Sequence, residues 1–398
     1  MQLKVFNKEF IKKFLLLGFV LTIPNSVAIN NIFLGFIFIY WLFICNKSEF
    51  ISLLKNNIIS LLSILFLITF IVSFIYTQNI YNGFIIFSKE IKFLFIPIFM
   101  QFLKNENINL YLKTFVISMM FDEILSYLIF FKIMPPMFKA DSSDPAVFMG
   151  HIAYNPFLAF TIFILIHEIF KEKIKGKSLL ISIFFLFTMT VNMFITGGRA
   201  GYVAFLIILI VGSFLIAKSK KELVIFIIFI AIIFISAYKF SPIVHKRVNL
   251  AIYNISHYEN HKNSSVGKRM TFWLNTIEMI KQHPVLGAGC GDFKDEYKII
   301  NNKNTPFFVI ASQPHNMYLF IWAINGLFGI IVLLLLFIYM FICAFKINDR
   351  YKELRIIFVL LFVIINFSDS YLLGHYTTSL FVFFTALFFK DCKWKKFQ

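Results

Sequence analysis

His315 and Asn316 stand where a hydrophilic stretch, 241–314, meets a long apolar run that contains Gly326 and Gly329. In a chain that is 59% hydrophobic, a histidine at such a boundary sits at the water–lipid interface. An imidazole there exchanges a proton near neutral pH and can serve as a general base. Arg199 is the next residue with chemistry in reach, in the turn TGGRAGY (196–202) between two apolar segments. Gly197, Gly198 and Gly201 expose backbone and let a large anion approach. A guanidinium there can bind a phosphate bidentately, unless it only snorkels to the interface. Arg269 opens the amphipathic segment RMTFWLNTIEMIKQHP (269–284) and is either a second anion contact or a water-facing charge at a helix start. In that segment Trp273, Ile277 and Ile280 recur at helical spacing and predict one apolar stripe.

Several further groups have two readings each. Gly287, Gly289 and Gly291 form GAGCG, which makes either a structural turn or a backbone nest for an anion. No strand–helix context supports a dinucleotide fingerprint there. Asp292 either orients a base or a sugar hydroxyl, or is simply solvated. Lys89, Glu90 and Lys92 interrupt an otherwise apolar segment, where charges normally pair or face a polar cavity. Lys89 is the lysine best placed for a phosphate; an ion pair with Glu90 is the plainer reading. His151 and His375 read as interfacial anchors. His257 and His261 are spaced i, i+4 but lack a third ligand nearby, so no metal site is expected.

The elements that must position these groups are membrane helices. A mean hydropathy of +0.81, 56 Phe and only 15% charged residues make a soluble fold untenable. Apolar segments predict an all-α polytopic protein of about twelve spans. They fall at 14–29, 30–46, 57–76, 83–103, 108–131, 151–170, 178–196, 200–217, 222–240, 316–345, 356–372 and 375–390. The chain therefore divides into a membrane bundle (1–240), a long loop with short helices (241–314) and a C-terminal set of helices with a tail (315–398).

Basic residues set the expected orientation. With both ends cytoplasmic, the cytoplasmic segments hold most of the Lys and Arg. They include Lys4, Lys8, Lys12 and Lys13 at the start and Lys390, Lys393, Lys395 and Lys396 at the end. The opposite segments 77–82 and 369–374 hold none, and 132–150 holds Lys132 and Lys139. Loop 241–314 then lies outside, and the lysine-rich start followed by an apolar run reads as an uncleaved first span. The formal net charge of +18 is mostly this orientation signal, with some attraction to anionic headgroups. It gives little support for nucleic-acid binding. Of Cys45, Cys290, Cys343 and Cys392, only Cys290 falls in the long loop, so no disulfide is expected there.

The run HNMYLFIWAINGLFG resembles a pattern of bacterial O-antigen ligases: His, a small polar residue, nine residues, Gly, two residues, then Gly, Thr or Tyr. The TGGRAG turn and the order Arg269, Trp273, Pro-Val-Leu-Gly-Ala-Gly are similar to the same superfamily, and the likeness covers mainly 196–329. It implies a GT-C-like all-α bundle in the bacterial inner membrane, active at the periplasmic face. The implied reaction moves a glycan from undecaprenyl diphosphate to a hydroxyl of lipid A–core, with inversion and without ATP, metal or cofactor. His315 would be the base, and Arg199 and Arg269 the diphosphate contacts. Lys89, Asn316, Trp273, Gly287 and Gly289 would help bind substrate. An O-antigen polymerase of the same superfamily is the alternative, although such proteins often carry two long external loops. A lipid-linked glycan flippase is a third reading; it predicts repeats and charges at the midplane of both halves.

Overall fold

The computed structural model describes residues 8–104, 106–138, 140–171, 173–258, 261–306 and 308–393. Lys4, Lys139, Lys395 and Lys396, used above for orientation, lie outside them. The helices are α1 (Lys8–Thr22), α2 (Val27–Ile44), α3 (Lys47–Asn56), α4 (Ile58–Phe74), α5 (Ile80–Glu90), α6 (Phe95–Leu103), α7 (Ile108–Phe130), α8 (His151–Phe170) and α9 (Gly176–Ile195). They continue with α10 (Arg199–Ile216), α11 (Lys220–Phe240), α12 (Pro242–Ser256), α13 (Ser265–Gln282), α14 (Phe293–Asn304), α15 (Met317–Lys346), α16 (Lys352–Ser368) and α17 (His375–Phe389). Among the described residues the only β features are two isolated bridges between 137 and 144. Loop serines and asparagines start many of these helices. Asn46, Asn57, Asn79, Ser219 and Ser264 each accept a hydrogen bond from an otherwise unpaired amide of the first turn.

Six helices (α2, α8, α9, α10, α11 and α15) are long and apolar enough to cross a membrane, and the α3–α4 pair, bent by 96°, makes a seventh if taken as one span. This supports a polytopic membrane protein, with fewer such helices than the twelve spans expected. The shortfall has local causes. Helices α1, α4, α16 and α17 are 15, 17, 17 and 15 residues long. Helix α7 is 23 residues long but carries Lys113, Asp122 and Glu123. The expected span 83–103 is broken into α5, a 3-10 turn (Ile91–Leu94) and α6. The break falls at Glu90 and Lys92, and Pro97, which has no N–H to give, sits in the first turn of α6.

Helix α17 is the central strut, for every residue from Thr377 to Phe389 is buried. An apolar helix with no polar face belongs in such a position. Helix α15 packs on α4 and α16, and α10 on α8 and α16. Helix α11 is as apolar but almost uncovered by protein, as a lipid-facing helix would be. Cys343 and Cys392 form a disulfide that ties the end of α15 to the segment after α17.

Residues 241–314 fold onto the bundle rather than standing apart, with α13 packed on α14 and α15. Here the expected apolar stripe is corrected. The buried face of α13 runs through Thr271, Phe272, Asn275, Thr276, Met279 and Ile280, while Ile277 is exposed and Trp273 only partly covered. Three polar residues on that face, Thr271, Asn275 and Thr276, hid it from a reading based on apolar spacing. Asn275 donates to Tyr297 Oη, Asn301 Oδ1 and Thr305 Oγ1 at 3.2, 3.3 and 2.9 Å, so a polar network joins α13 to α14. Burial there pushes the Tyr297 phenol up to about 12.

Candidate functional site

Three of the residues singled out by type and spacing come together at the end of the bundle that carries α12 to α14. His315 stands just before the N-cap of α15, and its backbone is left-handed, with φ of +53°. For a residue other than glycine this costs on the order of 1–3 kcal/mol, which the surroundings must offset. The imidazole stacks on Phe272 of α13, with ring centroids 6.0 Å apart. Its Nδ1 lies 2.9 Å from Asp369 Oδ1. Arg269 Nη2 approaches the other carboxylate oxygen at 3.6 Å. A carboxylate at Nδ1 selects the tautomer that donates there and leaves Nε2 as the acceptor. His315 remains about one third exposed and Asp369 mostly covered, so the imidazole faces outward and the carboxylate inward.

Asp369 is the member of this candidate site that sequence reasoning missed. It caps the C-terminal end of α16, 54 positions from His315. A carboxylate at a helix C-terminus opposes the macrodipole and needs a compensating partner. That mismatch was the available signal. Ser370 N–H also donates to Asp369 Oδ1, at 2.8 Å.

Arg199 is the first residue of α10, and its Nη2 donates to Ser265 Oγ in the first turn of α13. The N-terminal ends of α10 and α13, both favourable to anions, therefore meet. Arg199 also feels the like charges of Arg247 and Arg269. Among the described residues neither Arg199 nor Arg247 has a carboxylate within ion-pair distance, so the cluster is short of negative charge. Arg247, from HKR (245–247), is a second residue the sequence reading did not single out. Its Nη2 lies 2.9 Å from where a side chain on Gly197 would begin.

The glycines of the turn are also required by packing. A Cβ on Gly201 would come within 2.2 Å of Asn155 of α8. Asn155 also accepts from Thr196 Oγ1 at 2.6 Å and donates to Gly198 O at 3.3 Å. Close packing on α8, and room for Arg247, account for the small residues.

The GAGCG loop is likewise explained by packing. Gly326 has φ of +64° and breaks α15, freeing backbone groups on either side. Ala288 and Gly289 N–H donate to Ala323 O and Ile324 O at 2.8 and 3.1 Å, and Leu327 N–H donates to Val285 O at 3.0 Å. Gly287 N–H is taken by His283 O. These loop amides are used within the protein, which corrects the anion-nest reading of Gly287 and Gly289. Asp292 accepts from Gln78 and Asn79 N–H at 2.8 and 2.6 Å, pinning the same loop to the start of α5. Asn316 is the N-cap of α15, its Oδ1 accepting from Leu319 N–H at 3.1 Å. Trp273 lies on α13 one residue from Phe272, with its Nε1 buried and unpaired.

Lys89 lies elsewhere, on the wall of a cavity of about 660 Å³. That wall includes Asp369 but not His315, Arg199 or Arg269. Asp369 is therefore the partition between the arginine–histidine cluster and this chamber. The positive cluster can hold a diphosphate, and the histidine beside it can accept a proton from a hydroxyl arriving at Nε2.

A protein of Haemophilus influenzae, described as uncharacterized, is 28% identical over 254 residues, which cover 61% of this chain. The chain spans 63% of the length of that curated relative. Residues 184–334 match the family model described as O-antigen ligase. The matched stretch includes Arg199, Arg247, Arg269 and His315, so the part of the chain that carries the cluster is similar to the O-antigen ligase family.

Proposed function

We propose that this protein transfers a glycan from undecaprenyl diphosphate to a hydroxyl of lipid A–core at the periplasmic face of the bacterial inner membrane. The observation that carries the reading is His315 held by Asp369 beside the guanidinium of Arg269. His315 Nε2 takes the proton of the acceptor hydroxyl as its oxygen attacks the anomeric carbon. The bond from that carbon to the phosphate oxygen breaks, and undecaprenyl diphosphate leaves with the electron pair. Arg199 and Arg269, with Arg247 behind them, stabilise the charge gathering on the leaving group. Direct displacement inverts the anomeric centre. The protonated imidazole then returns its proton to water. The diphosphate is already an activated leaving group, so the reaction draws on no ATP, and no metal is assigned a role.

The test uses the full chain purified in lipid, a labelled undecaprenyl-diphosphate glycan and lipid A–core. Label should move to lipid A–core, and His315→Ala should abolish transfer while the protein still folds and inserts. Elongation of the lipid-linked glycan without capping of lipid A–core would make the protein a polymerase. Movement of the labelled lipid across vesicles without any new glycosidic bond would make it a transporter.

A further inference from the structure

The chamber beyond Asp369 has a chemistry distinct from that of the arginine cluster. Two carboxylates face it, and each is already engaged by a histidine. Asp369 holds His315, and Asp144 Oδ2 lies 2.5 Å from His151 Nδ1. Two lysines face it as well, Lys89 from α5 and Lys294 from α14. Among the described residues neither has a carboxylate within ion-pair distance. Asp369 also faces Arg269 at 3.6 Å, so the two lysines are the wall charges left to meet a negative group on an occupant.

Three wall residues also carry a buried oxygen that no group of the protein satisfies: Asp144 Oδ1, Gln313 Oε1 and Ser370 Oγ. Ser370 is itself only 5% exposed. Buried acceptors left without donors are costly, and a ligand rich in hydroxyls would supply what they lack. The loop bearing Asp144 is set in place by Asp141, whose Oδ1 accepts from Ser143 N–H, Ser143 Oγ and Asp144 N–H. Those bonds, with Ser143 foremost, hold the Asp141 carboxyl below its usual range. The volume is that of an ordinary small-molecule site.

We propose that this chamber is a subsite for an anionic sugar, a hydroxylated ring bearing a phosphate or carboxylate, and that it belongs to the acceptor. The inference rests on the transfer reaction proposed above and adds the charge of the acceptor to it. Sugar hydroxyls donate to Asp144, Gln313 and Ser370, while Lys89 and Lys294 meet the negative group. Asp369 forms part of the wall and His315 does not, so the chamber holds a part of the acceptor away from the hydroxyl that reaches Nε2. On this reading Lys89 serves the acceptor rather than the diphosphate of the donor.

The experiment measures binding alone, on the full chain in nanodiscs, with glucose 6-phosphate, glucuronate, glucose and inorganic phosphate as probes. Glucose 6-phosphate and glucuronate should bind roughly tenfold more tightly than glucose or inorganic phosphate, as one charge-assisted contact would give. Lys294→Gln and Lys89→Gln should each weaken the two charged sugars by a similar factor, while Arg199→Ala leaves them unchanged. Glucose binding as tightly as its phosphate would overturn the charge requirement. Inorganic phosphate binding as tightly would overturn the sugar. Loss of binding in Arg199→Ala would assign the anion to the arginine cluster instead. Because no turnover is read, failure of the transfer reaction would not alter these outcomes.

Discussion

At the scale of single residues, Asp369 decides what His315 can do. Its carboxylate selects the imidazole tautomer and also anchors Arg269, so one side chain links the base to the anion cluster. In Asp369→Asn the amide can present N–H to Nδ1, which favours the opposite tautomer and leaves Nε2 protonated. Transfer should fall by about a hundredfold or more, with donor affinity reduced less because Arg199 and Arg247 remain. Steady-state measurement of kcat against donor affinity checks this, and near-normal kcat would remove Asp369 from the proton path. His315 and Arg199 stood out as candidates because ionisable residues at the edges of apolar helices are rare, and Arg269 because it opens an amphipathic segment of the loop. Asp369 offered only the mismatch of an acid at a helix C-terminus, and its partner is apparent only when the fold brings it to a histidine 54 positions away. Arg247 was hidden for a related reason, being one of several charges in a basic loop.

Among the elements, the break in α15 has the most specific requirement. A Cβ on Gly326 would come within 2.1 Å of Val285 O, and the residue has positive φ. Gly326→Ala should therefore cost about 1–3 kcal/mol from backbone strain alone, seen as a lower Tm of the purified protein. A Cβ on Gly35, in α2, would meet nothing within 4 Å, so Gly35→Ala should leave Tm unchanged or slightly raised. Equal Tm values for the two variants would contradict the docking of loop 285–289 on α15. Hydropathy made the long apolar helices readable. Chain breaks caused by buried charge, as at Glu90 and Lys92, were less so, because hydropathy averages across them. The buried face of α13 escaped for the opposite reason: Asn275 and Thr276 are polar residues satisfied inside, and apolar spacing cannot register a hydrogen-bond network.

For the whole molecule, the proposed orientation makes a direct prediction. A cysteine replacing Lys303 in α14 should react with a membrane-impermeant maleimide added from the periplasmic side, whereas one replacing Lys220 should react only after the membrane is opened. Labelling in the reverse order would invert the arrangement and put the arginine cluster in the cytoplasm. The break at Gly326 has a mechanical consequence as well. The nine residues 317–325 are clamped at one end by the Asn316 cap and the His315–Asp369 contact, and at the other by Ala288 and Gly289. This stretch works as a key of fixed length and phase, since each residue turns the helix by about 100°. One alanine inserted after Leu319 would swing His315 away from Asp369, and transfer should be lost; an active insertion variant would show that the two clamps are not coupled.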